Sequence, residues 1–133
     1  MAIQISGTTV VDNSRNLTNI VDIESISGFA AQDIDSLSGT SVTPNFANGN
    51  NFSMTLTGSL TLNNPTNITA GQSGAIFITQ DGTGGRTVAF GSYWSFADGT
   101  APTITATASA HSVLLYTCRT TTDIFCSTIL NVS

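Results

Sequence analysis

Between Asn51 and Asn64 the chain reads NFSMTLTGSLTLNN, in which Met54, Leu56, Leu60 and Leu62 alternate with Ser53, Thr55, Thr57, Ser59 and Thr61. Successive side chains of a strand point to opposite faces, so strict period two gives one apolar face and one hydroxyl-lined face. A helix of the same sequence would scatter the apolar groups around its circumference. The segment therefore predicts a strand, with Gly58 marking a bend or bulge within it.

The rest of the chain uses the same vocabulary. Thr, Ser and Asn supply 49 of the 133 residues, Lys is absent and Glu24 is the only glutamate. Helices draw on Ala, Leu, Glu, Lys and Arg, whereas Thr suits strands and Asn and Gly suit turns. An all-β fold is expected. A chain of this length can bury about two-thirds of its unfolded surface, enough for one core. Only 8% of residues are charged, against roughly 25% in ordinary soluble domains, so the surface must be polar without being charged.

Further elements follow from turn residues and apolar runs. Asn64-Pro65-Thr66-Asn67 is a turn, and the continuous apolar run at residues 75–78 reads as a strand covered on both faces. The glycine-rich QDGTGGR at residues 80–86 reads as a hairpin turn, after which Val88, Phe90, Trp94 and Phe96 resume the alternation. Ala dilutes the pattern at residues 103–110, a weaker strand. Residues 113–119 and 124–132, separated by Thr120, Thr121, Thr122 and Asp123, predict a closing β-hairpin. If its register opposes Cys118 to Cys126 the thiols can touch, and a shift of one residue sends them to opposite faces.

The first forty residues differ. Ile3, Ile5, Val10, Val11, Leu17, Ile20, Val21 and Ile23 are spaced by polar turns such as Asp12-Asn13-Ser14-Arg15. Such short strands have too few large side chains to make a core, and one helical turn is expected within residues 29–37. Residues 1–40 are thus expected to form an extended N-terminal β arm for attachment and oligomerisation, contacting its partner through Ile3, Ile5, Val10, Leu17 and Ile20. Residues 41–133 are expected to form a jelly-roll-like antiparallel β-sandwich, chosen over other sandwiches and a small barrel.

Charge and chemistry exclude several functions. Arg15, Arg86 and Arg119 are the only fixed cations in a chain of net charge −5, too few to neutralise a run of phosphates. Nucleic acid is not an expected partner. The opening MAIQISGTTVV has no basic region followed by an apolar stretch, and no window reaches the ~18 apolar residues of a membrane span, so a soluble product made in the cytosol with no membrane partner is expected.

His111 is the single histidine, placed at a strand entrance with no glycine-framed serine to serve as a nucleophile. Cys118 and Cys126 with one histidine fall short of a zinc set, and Asp33 and Asp35 offer too few oxygens for calcium. The aspartates of Asp81-Gly82 and Asp98-Gly99 sit in turns rather than as an opposed catalytic pair. Asp81-Gly82-Thr83-Gly84-Gly85-Arg86 lacks the lysine and strand-to-helix context of a phosphate loop. No catalytic residue, metal or cofactor is expected, and the protein is read as non-enzymatic. In GSYWSF, Trp94 and Phe96 face one core if the alternation holds, with Tyr93 outward; the alternative is a platform of Tyr93 and Trp94 for a partner or a host-surface glycan.

Two stretches carry a resemblance. The opening ISGTTVVDNSRNLTNI, and the tail with its NPTN turn, QDGTGGRT loop, GSYW patch, GTAPT turn and final strand pair, resemble modules of tailed-bacteriophage virion surface proteins, particularly tail fibres of marine and cyanobacterial phages. The resemblance implies a virion location and a homotrimer. Only about forty residues separate the two stretches here, where fibres usually carry a long shaft. The leading expectation is therefore a capsid decoration, or cement, protein that contacts the major capsid protein or other virion proteins. A short tail-fibre or receptor- and carbohydrate-binding module is the alternative.

Overall fold

The computed structural model describes residues 3–5, 8–11 and 34–132. The chain divides into two compact units, Met1–Ala31 and Gln32–Ser133. In the first, β1 (Ile3–Ile5) and β2 (Thr8–Val11) pair antiparallel, with a register shift between Ile3 and Gln4.

The second unit holds β3 (Ile34–Leu37), β4 (Ser41–Val42), β5 (Asn51–Leu56), β6 (Leu60–Leu62), β7 (Ser73–Gln80), β8 (Val88–Phe90), β9 (Trp94–Ser95), β10 (His111–Cys118) and β11 (Ile124–Val132), with a short 3-10 turn at Ala97–Gly99. The all-β class is as expected. Strand direction is not, because β3, β5 and β7 run parallel to one another, as do β4, β6 and β8. Two sheets result, in the orders β3-β5-β7-β10-β11-β9 and β4-β6-β8.

Consecutive strands from β3 to β8 therefore alternate between the two sheets, and the chain winds as a coil of three rungs. Gly58 lies at one corner of that coil. The even-numbered apolar positions continue inward through it: Phe52, Met54 and Leu56 from β5, then Leu60 and Leu62 from β6, are all buried. Period two is thus preserved across two strands of different sheets. The QDGTGGR segment turns the third corner and joins β7 to β8 in separate sheets, so it is not a hairpin turn.

Stacked rungs bring like residues together. Phe52 of β5 registers with Ile76 of β7 and Leu114 of β10, and Val42, Leu62 and Phe90 register across the smaller sheet. Burying a side chain of this size contributes about 1.5–3 kcal/mol. Phe46 sits at the centre, its ring stacked on Phe52 and Tyr116 at 5.5 and 4.8 Å.

The corners are tied by amides: Asn63 Nδ2 donates to Ser41 Oγ and Thr43 Oγ1, each at 3.1 Å, and Asn67 Nδ2 donates to Asn45 Oδ1 at 2.8 Å. The high Asn and Thr content follows from this architecture, since a coil without helices must satisfy its turning backbone from side chains.

Two local expectations change. Ile34–Leu37 is a strand rather than part of a helical turn, because its backbone has a parallel partner in β5. Residues 103–110 form no strand, although Ile104 is buried. The closing hairpin is present: β10 pairs antiparallel with both β7 and β11, and β9 adds a short parallel edge beside Ile124 and Phe125.

Candidate functional site

The hairpin register decides the cysteines. Cys118 opposes Ile124 and Cys126 opposes Tyr116, so the two lie diagonally on the inward face and both are free thiols. Burial pushes both thiols up, Cys126 to about 12 with a smaller contribution from Cys118. Neither has the electropositive, accessible setting of a reactive thiol. His111 lies exposed at the start of β10, its Nδ1 3.0 Å from Thr79 Oγ1. Among the described residues, no three His, Cys, Asp or Glu side chains converge as metal ligands.

The glycine-rich corner is held from within. Asp81 Oδ1 accepts from the backbone N–H groups of Thr83 and Gly84 at 3.0 and 2.8 Å, and its Oδ2 accepts from Arg86 Nε and Nη2 at 3.1 and 2.9 Å. The Arg86 bond, followed by the Gly84 N–H, holds the Asp81 carboxyl below its usual range. Gln80 is buried, donating to the Arg86 and Thr105 carbonyls and accepting from the Arg86 N–H. The amides that would cradle a phosphate are spent on the loop itself.

Trp94 is a core residue. It is 5% exposed, it packs edge-on to Phe46 and Tyr116, and its ring N–H donates to the Asn63 carbonyl at 3.1 Å. A stacking platform of Tyr93 and Trp94 is therefore not formed, because the indole ring is committed inward; Tyr93 is half-buried, and its backbone N–H donates to Asn64 Oδ1 at 2.9 Å. An edge of Trp94 lines a surface hollow of about 420 Å³ with Phe90, Phe96, Gly99 and Ala101. Of the expected arm contacts, Ile3, Ile5 and Val10 are positions on β1 and β2, and Leu17 and Ile20 lie outside the described residues.

The feature that stands out is the outer face of the larger sheet. Phe77 of β7, Val113 of β10 and Ile129 of β11 share one register row, while Leu115 lies in the next and Phe125 in the one after. Phe77, Leu115, Phe125 and Ile129 are 39, 42, 52 and 51% exposed. Around them the outward positions are Ser73, Ala75, Thr79, His111, Thr117 and Ser127, with no carboxylate, lysine or arginine among them. The Arg119 guanidinium lies 5.6 Å over the Phe125 ring and donates through Nε to Asp123 Oδ2 at 2.7 Å.

An open hollow of about 330 Å³ lies between Leu115, Thr117, Phe125 and Ser127. Sequence reasoning passed over this face because it read the apolar run at residues 75–78 as covered on both sides. The signal was present in the paired apolar residues Leu114 and Leu115, and Ile129 and Leu130, whose neighbours cannot both face one core.

Residues 42–121 match the family described as "Putative phage tail fibre C-terminal domain". The chain belongs to that family. The matched stretch runs from β4 to the turn after β10, so the phage tail-fibre domain comprises most of the coil, its glycine-rich corner and the first strand of the closing hairpin. Strand β11, with Phe125 and Ile129, lies beyond the matched stretch. No curated protein and no solved structure matches the chain. Membership makes this chain a phage structural protein and a component of the virion.

Proposed function

We propose that the chain is a structural module of a phage tail fibre, acting as a homotrimer by assembly with copies of itself and without catalysis. The match of residues 42–121 to a tail-fibre domain family carries this reading. Its surface chemistry agrees: the described ionisable side chains are few, and four of them close turns as ion pairs, Asp81 with Arg86 and Asp123 with Arg119. What the surface offers instead is an apolar sheet face.

Capsid decoration, with the major capsid protein as partner, has less support, since it rests on the short spacing between two sequence stretches rather than on a family match. Labelling the protein with gold-conjugated antibody on intact particles separates the two: label on the tail supports the fibre reading, and label confined to the capsid overturns it. Host-glycan binding is tested separately on a glycan array, where a specific signal from the isolated protein would add a receptor role to the structural one.

A further inference from the structure

We infer that the outer face of β7, β10 and β11 is the surface through which neighbouring copies of this chain pack against one another in the trimer. The inference rests on the assembly reading above and adds to it the place of contact.

Five observations converge. The run Ala75–Ile76–Phe77–Ile78 has the composition of a strand covered on both faces, yet only the inward pair Ile76 and Ile78 is buried, while Phe77 stands in solvent. Among the described residues, nothing covers the other side. The register then makes the bare positions contiguous: with strands about 4.8 Å apart and outward positions about 6.7 Å apart along each strand, Phe77, Val113, Leu115, Phe125 and Ile129 form one strip.

Charge selects the occupant. The chain carries a net charge of −5, so copies approaching through carboxylate-bearing surfaces repel each other. This face has no described carboxylate among its outward positions, and its nearest cation, Arg119, is already paired with Asp123. A polyanion finds no unpaired arginine or lysine here, whereas an apolar strip meets no charge mismatch with its own copy. Shape points the same way, because the strip holds both protruding side chains, Phe77 and Ile129, and the open hollow beside Leu115 and Phe125 that a protruding ring can enter.

Size is a further point. Three strands with four outward positions each present about 400 Å² in projection, about half of it from apolar side chains, so the strip is the centre of a contact rather than the whole of one. A standard interface takes about 800 Å² per partner, with a polar rim around an apolar centre. The outward Asn51, Ser53 and Thr55 of β5, next to β7, supply such a rim.

The test is the mass of the full chain by light scattering after size-exclusion chromatography, for wild type, Leu115→Arg and, as a control on the outer side of the smaller sheet, Thr61→Arg. Wild type and Thr61→Arg are expected at a multiple of the chain mass. Leu115→Arg is expected at the single-chain mass with an unchanged circular dichroism spectrum, association weakening by about a hundredfold because an unpaired charge would be buried at the contact.

Leu115→Arg keeping the wild-type mass overturns the location while leaving assembly intact. A wild type monomeric at every soluble concentration overturns both. Should Leu115→Arg fail to fold, a photo-crosslinking residue at Phe125 in the otherwise wild-type chain decides: crosslinks between copies at β7, β10 or β11 support the contact, and crosslinks found only to other surfaces or other proteins overturn it.

Discussion

The Tyr116 hydroxyl donates a 2.7 Å hydrogen bond to the Asn50 carbonyl, joining β10 to the turn that opens β5 across 66 residues of sequence. The same carbonyl accepts the Ala75 N–H at 3.2 Å, so three elements meet on one oxygen. Burial raises the Tyr116 phenol above its usual value, which keeps it protonated as the donor. Tyr116→Phe leaves the ring in its stack with Phe46 and leaves Asn50 one remaining donor. The expected loss is about 1 kcal/mol by urea denaturation; no loss would mean that the hydroxyl is equally well satisfied in the unfolded chain.

Gly74 stands opposite Tyr116 in the strand register. A methyl group added there would overlap the Asn50 carbonyl and come within 2.8 Å of the Tyr116 hydroxyl. The obstruction is backbone, which cannot swing aside as a side-chain tip can. Gly74→Ala is expected to destabilise the fold by about 3 kcal/mol, read as a lowered melting temperature. A melting temperature equal to wild type would show that the Asn50 turn yields freely.

Ser112 is 2% exposed, in the row shared with Met54 and Ile78, and its hydroxyl has no hydrogen-bond partner among the described residues. Removing a buried hydroxyl that bonds to nothing removes a desolvation penalty. Ser112→Ala is expected to raise stability by about 1 kcal/mol. A drop by the same measurement would reveal a partner for the hydroxyl in solution.

Asp81 and Asp123 are both held below the ordinary carboxyl value of 3.8, Asp81 chiefly by Arg86 and Asp123 chiefly by Ser95 and then Arg119. In the folded chain each gives up its proton at lower pH than in the unfolded chain. Their contribution is therefore complete above pH 3.8 and is lost as pH falls through the depressed folded values. Melting temperature should fall below that pH, and Asp81→Asn should flatten the fall. A parallel acid limb in the variant would remove Asp81 as a cause.

The two thiols give a count. With both pushed up by burial, reaction with an aromatic disulfide reagent at neutral pH should be slow in the native protein and should release two equivalents once urea unfolds it. One equivalent released rapidly before unfolding would show that Cys126 is open to solvent.

Much of this protein could be read from residue order alone. Alternation from Phe52 to Leu62 places every inward apolar side chain correctly, because period two survives the corner at Gly58. The scarcity of helix formers settled the all-β class, and the four residues between the last two apolar runs settled the closing hairpin. These are local properties, decided by backbone geometry within a few residues.

Which strand pairs with which was not local. A strand with one apolar face meets the burial requirement equally well beside its neighbour in sequence or one rung away, so β5 could have hairpinned with β6. Only the tertiary fold, by stacking Phe52 on Ile76 and Leu114 and closing Val42 on Leu62, selected the parallel coil. The same long-range choice drew Trp94 inward to Phe46 and left Phe77, Leu115, Phe125 and Ile129 exposed among the described residues. Residue order determined which side chains seek burial; the fold decided which of them this chain buries by itself, because its one core has room for a single face of each strand.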